Sequence, residues 1–268
     1  AYRINKYLSV GGGVSLVTSN YEAKTAVRNL EPGRGDGRLE FDANDTGYGA
    51  NLGLLIEPRE GTRFGITYRS KVDLEYEDKP DLKNIGPLLQ TALDVTGLEG
   101  SKVKLDMEIP QAVLVSAYHE VADKLALMGN VGWQDWSGFG NIDISLDSDT
   151  SRSATQDLGY DDTWHFALGL QYRLANPWLL SIGCAYDTSP TDSSKKRTPA
   201  LPLDRQVRAG AGLQYDLNQD VTLGLAYEYM DLGDGRINQQ GGNLRGDLKG
   251  EYQKNHIHFL GVNLVWKF

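Results

Sequence analysis

The chain has 268 residues, of which 40% are hydrophobic and 24% charged, and its formal net charge at pH 7 is −9. This negative charge argues against nucleic acid as a partner, because nucleic-acid binding depends on a basic surface. No stretch approaches the roughly 18 uninterrupted apolar residues that a membrane helix needs, which excludes a helical membrane protein.

Large apolar residues recur at every second position in about ten segments, a period that predicts β-strands with one apolar face. The opposite face is rich in glycine and small polar residues, which suits a lumen better than a packed protein core. The segment from Gln111 to His119 fits less well, since Leu114 falls on the opposite face from Val113 and Val115. In chain order, the other apolar faces are Leu8 to Leu16, Tyr48 to Ile56, Phe64 to Tyr68, Leu125 to Trp133, Trp164 to Tyr172, Trp178 to Tyr186, Val207 to Tyr215, Val221 to Tyr229 and Leu260 to Phe268.

Aromatic residues stand towards the ends of these segments. Trp164 begins one apolar face and Tyr172 ends it, and Trp178 and Tyr186 bound the next one. The two interfacial girdles of a transmembrane β-barrel place aromatic residues in this way. The alternative is a soluble β-sandwich, whose large aromatics would more often lie mid-strand in the core.

The connections between the segments alternate in length, short ones of turn-forming composition with long polar ones. An antiparallel barrel with short periplasmic turns and long extracellular loops has this alternation, which a soluble barrel has no reason to keep. We therefore predict an all-β fold, an antiparallel transmembrane β-barrel. The short connections are Pro58–Gly61, Val121–Lys124, Ala175–Pro177 and Asn218–Asp220, and the long ones run about from Arg28 to Arg38, Asp78 to Gly100, Asp147 to Gly159, Ser189 to Asp204 and Gly233 to Gly250.

Five short stretches of the chain carry a resemblance to a known family, namely Thr67–Val72, Ile109–Pro110, Trp133–Phe139, Ala185–Pro190 and Leu201–Arg205. In their order and spacing they resemble the FadL-type fatty-acid and hydrocarbon transporters of Gram-negative outer membranes. The resemblance covers the chain from about Tyr2 to Phe268. The terminal Phe268 also looks like the signal by which the barrel-assembly machinery recognises outer-membrane proteins.

The resemblance implies a multi-pass, monomeric barrel of the bacterial outer membrane that passes fatty acids or aromatic hydrocarbons by passive diffusion. The family fold has 14 strands and an N-terminal hatch that plugs the barrel. We expect residues 1–268 to form one β-barrel domain, the C-terminal portion of a longer barrel whose hatch and first strands are absent from this chain. The expected partners are outer-membrane lipids, a hydrophobic small molecule and, during biogenesis, the barrel-assembly machinery.

A helix is predicted inside the long connection from Asp78 to Gly100, where four apolar residues recur at helical spacing. An exposed amphipathic helix beside the outer leaflet could receive an acyl chain, or its leucines could simply pack on neighbouring loops. The first long loop is much shorter than the helical loop that forms one wall of the ligand groove in the family. The candidate ligand-binding residues are Ile85, Leu88, Leu89, Leu93, Trp136 and Phe139.

Charged side chains of the predicted lumen face could guide an anionic head group or form ion pairs that stiffen the wall. They are Arg63, Arg69, Arg173, Arg208 and Glu228.

No metal site or cofactor is predicted. His256 and His258 would project to one side of a strand, but no third metal ligand is suggested nearby. No nucleophile, base and acid are arranged as a hydrolase requires, so we predict that the protein is not an enzyme. A general outer-membrane porin and a structural or adhesive barrel remain the alternative functions.

Overall fold

The computed structural model describes residues 1–96, 100–139, 141–147, 152–157, 159–191, 193–199, 202–240 and 247–267, with the backbone alone for 141–144, 146–147 and 152–157. Phe268 therefore lies outside the described residues. In chain order the elements are β1 Tyr2–Asn5, β2 Leu8–Val27, β3 Gly37–Arg59, β4 Thr62–Arg69, β5 Val72–Asp78, β6 Asp81–Lys83, α1 Pro87–Thr96, β7 Lys102–Ile109, β8 Ala112–Ala122, β9 Leu125–Gln134, α2 Trp136–Phe139, β10 Asn141–Asp147, β11 Arg152–Asp157, β12 Thr163–Ala175, β13 Trp178–Asp187, β14 Gln206–Asp216, β15 Val221–Asp231, β16 Arg236–Gln240, β17 Asp247–Glu251 and β18 His256–Trp266.

One large antiparallel sheet contains every strand predicted from the alternation. Its order is β1-β2-β3-β4-β8-β9-β12-β13-β14-β15-β18, with β6 added beside part of β3. Between the two ends of this order, each strand pairs with the wall strand before it and the wall strand after it, as in the wall of an up-and-down barrel. The predicted antiparallel β-barrel fold is confirmed.

The pairing register keeps the alternating apolar side chains of the predicted faces on one side of this sheet. Leu168 pairs with Cys184, and Leu225 pairs with Val262. Leu168 is 71% exposed, Val262 77% and Val14 90%. A band of exposed apolar residues as wide as this would cause aggregation in water. This face therefore contacts the acyl chains of the bilayer. Leu114 lies on the other face, paired with Thr67 and Gly132, as its phase predicts.

Aromatic residues cluster at both ends of the lipid-facing band. At the end with the short turns, the rings of Trp178 and Tyr215 lie 4.5 Å apart. At the end with the long loops, Tyr229 lies 5.3 Å from His258, and the Tyr227 hydroxyl is 2.7 Å from His258 Nδ1. These two clusters occupy the positions of interfacial girdles, where an amphipathic ring can contact both water and the hydrocarbon of the bilayer.

A hydrophobic core lies outside the membrane-spanning wall. β2 and β3 have 20 and 23 residues, whereas a tilted strand crosses a bilayer with about 9–11. Their outer halves project beyond the lipid and pack against a four-stranded sheet, β11-β10-β7-β5. Phe41, Leu74 and Tyr76 are buried between the two layers, with the ring of Tyr21 5.4 Å from that of Tyr76. The long connections are therefore structured.

Neither helix of the described residues is long and apolar enough to span a membrane.

Candidate functional site

The first long loop and the segment before α1 are joined by the side chain of Asn29, which is only 4% exposed. Its Nδ2 donates to the carbonyl oxygens of Gly35 at 2.7 Å and Asn84 at 3.1 Å. Its Oδ1 accepts the backbone N–H of Gly86 at 2.7 Å. The two segments that were predicted to border a ligand groove therefore contact each other directly, and we call this contact the loop latch.

Glu31 extends the loop latch to the first turn of α1. Its Oε1 accepts the backbone N–H of Leu88 at 2.7 Å. A carboxylate at this position satisfies a free donor of the helix and interacts favourably with the helix dipole. Gly86 is required beside it, because a Cβ there would collide with the Glu31 carboxylate. Glu31 thereby connects the first turn of α1 to the first long loop.

A helix exists in the predicted connection, but it spans Pro87–Thr96, so Ile85 precedes it. Leu88 is 55% exposed, whereas Ile85, Leu89 and Leu93 are half-buried. Ile85 lies at the loop latch, since its Cγ2 is 3.1 Å from the place of a Cβ on Gly37. That these residues contact a ligand stays a prediction.

Replacing Asn29 with alanine should loosen the loop latch, because it removes one donor group and one acceptor that serve three backbone partners. The expected cost is about 1–3 kcal/mol of local stability, the range for leaving buried polar groups unpaired. Hydrogen exchange of the α1 amides should accelerate accordingly. Asn20→Ala is the matched control, because Asn20 is exposed and bonds Asp42 within the β2–β3 hairpin at 2.7 Å. Equal exchange of α1 in both variants would contradict the assignment of the latch.

Trp136 and Phe139 lie together in α2, with ring centroids 5.1 Å apart. Sequence reasoning missed the third member of this aromatic cluster, Tyr160, whose ring stacks on Phe139 at 6.3 Å and which is 5% exposed. Burial raises the pKa of the Tyr160 hydroxyl. The cluster lies against β7 and β10, so Trp136 and Phe139 form a packed corner at the outer mouth of the wall.

The inner face of the wall contains a cavity of about 720 Å³. Its floor is made of small residues, which the strand register places side by side in rows. In one row Gly169 of β12 pairs with Gly183 of β13, and Gly183 pairs with Gly210 of β14. The volume that larger side chains would fill is thus left open. The cavity margin carries larger apolar side chains, namely Met128, Met230 and Phe259.

Charged residues border the outer end of this cavity. Arg208 donates to Asp187 Oδ2 from both Nε, at 3.2 Å, and Nη2, at 2.5 Å. His165 Nδ1 lies 2.8 Å from the other oxygen of Asp187. Arg208 therefore forms an ion pair with Asp187, and Arg173 lies 3.7 Å from Asp216. That these pairs stiffen the wall stays a prediction.

The remaining lumen arginines have different surroundings. The guanidinium of Arg63 lies over the ring of Tyr118, 4.4 Å from its centroid, which is a cation–π contact. Arg69 lines a second cavity of about 730 Å³, which also contains His165, Asp187 and Arg208. Arg208 therefore lines both cavities of the inner face, whereas His165 and Asp187 line the second one.

His256 and His258 share the lipid-facing side of β18 with Leu260, and their rings lie 5.2 Å apart. Within the described residues no group of three or more potential ligands could hold a metal ion. Their contacts are instead with the tyrosines of the outer girdle, Tyr227 and Tyr229.

Comparison with known proteins places these features in context. The whole chain, residues 1–268, matches the family model described as outer membrane protein transport protein (OMPP1/FadL/TodX). The long-chain fatty acid transport protein of Escherichia coli strain CFT073 is 30% identical over 257 residues, which cover 86% of this chain and 57% of that protein. Outer membrane protein P1 of Haemophilus influenzae strain Rd is 28% identical, over 100% of this chain and 63% of its own length. The chain thus spans less than two thirds of these relatives.

Solved structures show the same fold. A Pseudomonas aeruginosa FadL homologue superposes with a TM-score of 0.79 at 20% identity, over 98% of this chain and 64% of that chain. The toluene transporter TodX of P. putida superposes with a TM-score of 0.65 at 16% identity, over 99% of this chain and 67% of that chain. At these identities the likeness concerns the fold alone.

Proposed function

The chain belongs to the family of outer membrane transport proteins that includes FadL and TodX, and we propose that it passes hydrophobic small molecules across the outer membrane by passive diffusion. The observation that carries the proposal is the cavity of about 720 Å³ on the inner face of the wall. Its small-residue floor and apolar margin can bury most of a drug-sized apolar ligand. Burial of apolar surface supplies the affinity, and the concentration gradient supplies the direction.

Fatty acids and aromatic hydrocarbons are the proposed substrate classes. The relatives include a long-chain fatty acid transport protein and the structural neighbours include a toluene transporter. We propose that the outer contacts of the ligand are Ile85, Leu88, Leu89, Leu93, Trp136 and Phe139, of which Leu88 is the most accessible. The lumen cavity would then receive the ligand from this mouth.

We further propose that residues 1–268 act as one barrel unit that is part of a larger closed wall. In the described sheet, β1 and β18 each pair on one side. An open edge in a bilayer exposes backbone groups that each cost several kcal/mol, so both edges need partners. Biogenesis through the barrel-assembly machinery, a monomeric state and the lack of enzymatic activity belong to the same proposal.

Saturable binding of an uncharged apolar fluorescent ligand, measured beside single-channel conductance of small ions on the same native preparation, tests the proposed function. A transporter of hydrophobic compounds should bind the ligand saturably and show no steady conductance. A general porin should conduct ions steadily and bind no such ligand. A structural or adhesive barrel should do neither, and either of these last two results would refute the proposal.

A further inference from the structure

The lining of the lumen cavity has an unequal distribution of charge. Among its described lining residues, Arg208 is the one cation and Glu228 the one carboxylate. The Arg208 guanidinium is already neutralised by Asp187, to which it donates from two nitrogens. Glu228 forms no ion pair within 4 Å among the residues that the structure describes. The cavity therefore carries a negative charge that nothing described in the wall balances.

The strand register places Glu228 inside the apolar part of the cavity. It pairs with Gly210 of β14 on one side and with Phe259 of β18 on the other. The cavity floor beside Glu228 is low because Gly210 has no side chain. A Cβ on Gly210 would lie 3.6 Å from the Glu228 Cβ. Met230, two residues further along β15, belongs to the same lining. A ligand that fills this cavity must lie close to the carboxylate.

We infer, on the basis of the proposed function, that among hydrophobic ligands of equal chain length this cavity binds those with a neutral or cationic hydrogen-bond donor more tightly than those with a carboxylate, and that Glu228 is the residue that determines this selectivity. A hydroxyl or ammonium group can donate to the free carboxylate while the hydrocarbon lies on the glycine floor. A ligand carboxylate would instead meet a like charge in a partly dehydrated site, where charges interact more strongly than in water. An alkanol, a phenol or an alkylamine thus suits this wall better than a fatty-acid anion.

Arg208 does not reverse this selectivity. Two of its nitrogens, Nε and Nη2, donate to Asp187, so the charge of the guanidinium is already balanced by that carboxylate. The second oxygen of Asp187 faces His165 Nδ1 at 2.8 Å. The guanidinium has further N–H donors for a ligand carboxylate, but that carboxylate would be a second negative charge beside a cation that is already paired. Glu228 therefore remains the group that distinguishes between head groups.

The test uses the native protein in non-ionic detergent with N-phenyl-1-naphthylamine as an uncharged fluorescent probe. Decanol, decylamine and decanoate, which share one chain length and differ in head group, compete for the probe at neutral pH. Glu228→Gln should strengthen decanoate by about tenfold, equal to about 1.4 kcal/mol, and weaken decylamine by a similar factor. Decanol should change little. Partition of the competitors into detergent is the same for both proteins. It therefore cancels in the ratio of the wild-type affinity to the Glu228→Gln affinity for each competitor.

Glu120→Gln is the matched control, because it removes the same charge from the same face near the short turns, where Glu120 accepts from the Tyr118 hydroxyl at 3.2 Å. This variant should leave all three affinities unchanged. Equal head-group ratios in the wild type and Glu228→Gln would overturn the selectivity inference while leaving the proposed function intact. If the wild type binds neither the probe nor any competitor, the proposed function itself fails.

Discussion

Replacing Leu168 with arginine should destabilise the protein in a bilayer by about 2–4 kcal/mol, the cost of a cationic side chain at the lipid-facing midplane of a barrel. Leu168 lies in the middle of β12 and is 71% exposed. Its neighbours across the strands, Cys184 and Gly129, leave the side chain pointing into the lipid. Urea-induced unfolding of the protein folded into lipid vesicles gives the free energy of unfolding directly.

The matched control is Gln171→Arg, on the same strand but on the lumen face. Gln171 pairs with Ser181 and Ala126, and a charge there remains in contact with lumen water. We expect its free energy of unfolding to stay within about 0.5 kcal/mol of the wild type, as for most surface changes. If both variants lose the same stability, the assignment of a lipid face and a lumen face is contradicted. If Gln171→Arg loses more, the two faces have been assigned the wrong way round.

The wall could be predicted from the sequence because its determinant is local. Period-two alternation decides which side chains share a face, and each segment carries this information without reference to its partners. Leu114 was an exception to the alternation in its segment, and the register places it on the face opposite Val113 and Val115. The short turns were equally predictable, since their composition permits no continuation of a strand.

The outer part of the fold was less predictable because it depends on contacts between distant residues. Tyr21, Phe41 and Tyr76 also alternate with polar neighbours, but only their mutual packing shows that they form a core and not a lipid face. The prediction that the chain from Asp78 to Gly100 is a long connection missed β6, and no prediction was made for β5 or β7.

The candidate site also combines features that local sequence predicts with features that depend on contacts between distant residues. Helical spacing predicted α1, whereas the loop latch joins Asn29 to Gly86 across 57 residues and has no local signal. Arg208 and Glu228 were both predicted to be lumen charges from strand phase alone. Which of them is neutralised depends on Asp187, 21 residues from Arg208. Registration of β13 against β14 brings that pair together, and no pattern within either strand predicts it.

Replacing Ala226 with tryptophan should weaken ligand binding in the lumen cavity by at least about tenfold, equal to about 1.4 kcal/mol. Ala226 lines the cavity and pairs with Gly212 and Gly261, two residues whose lack of side chains leaves the space above the floor empty. An indole ring at this position would occupy the volume in which the ligand is proposed to lie. Fluorescence titration with an uncharged apolar probe measures the loss.

Ala209→Trp provides the control that separates filling of the cavity from a general effect of a large ring on the wall. Ala209 lies on the lipid-facing side of β14, paired with Tyr229 and Cys184, close to the outer girdle where tryptophan is well accommodated. This variant should bind the probe like the wild type and fold equally well in vesicles. The two alanines lie on adjacent strands and receive the same substitution, but on opposite faces of the sheet. Unchanged binding in Ala226→Trp would place the ligand elsewhere and remove the observation that carries the proposed function.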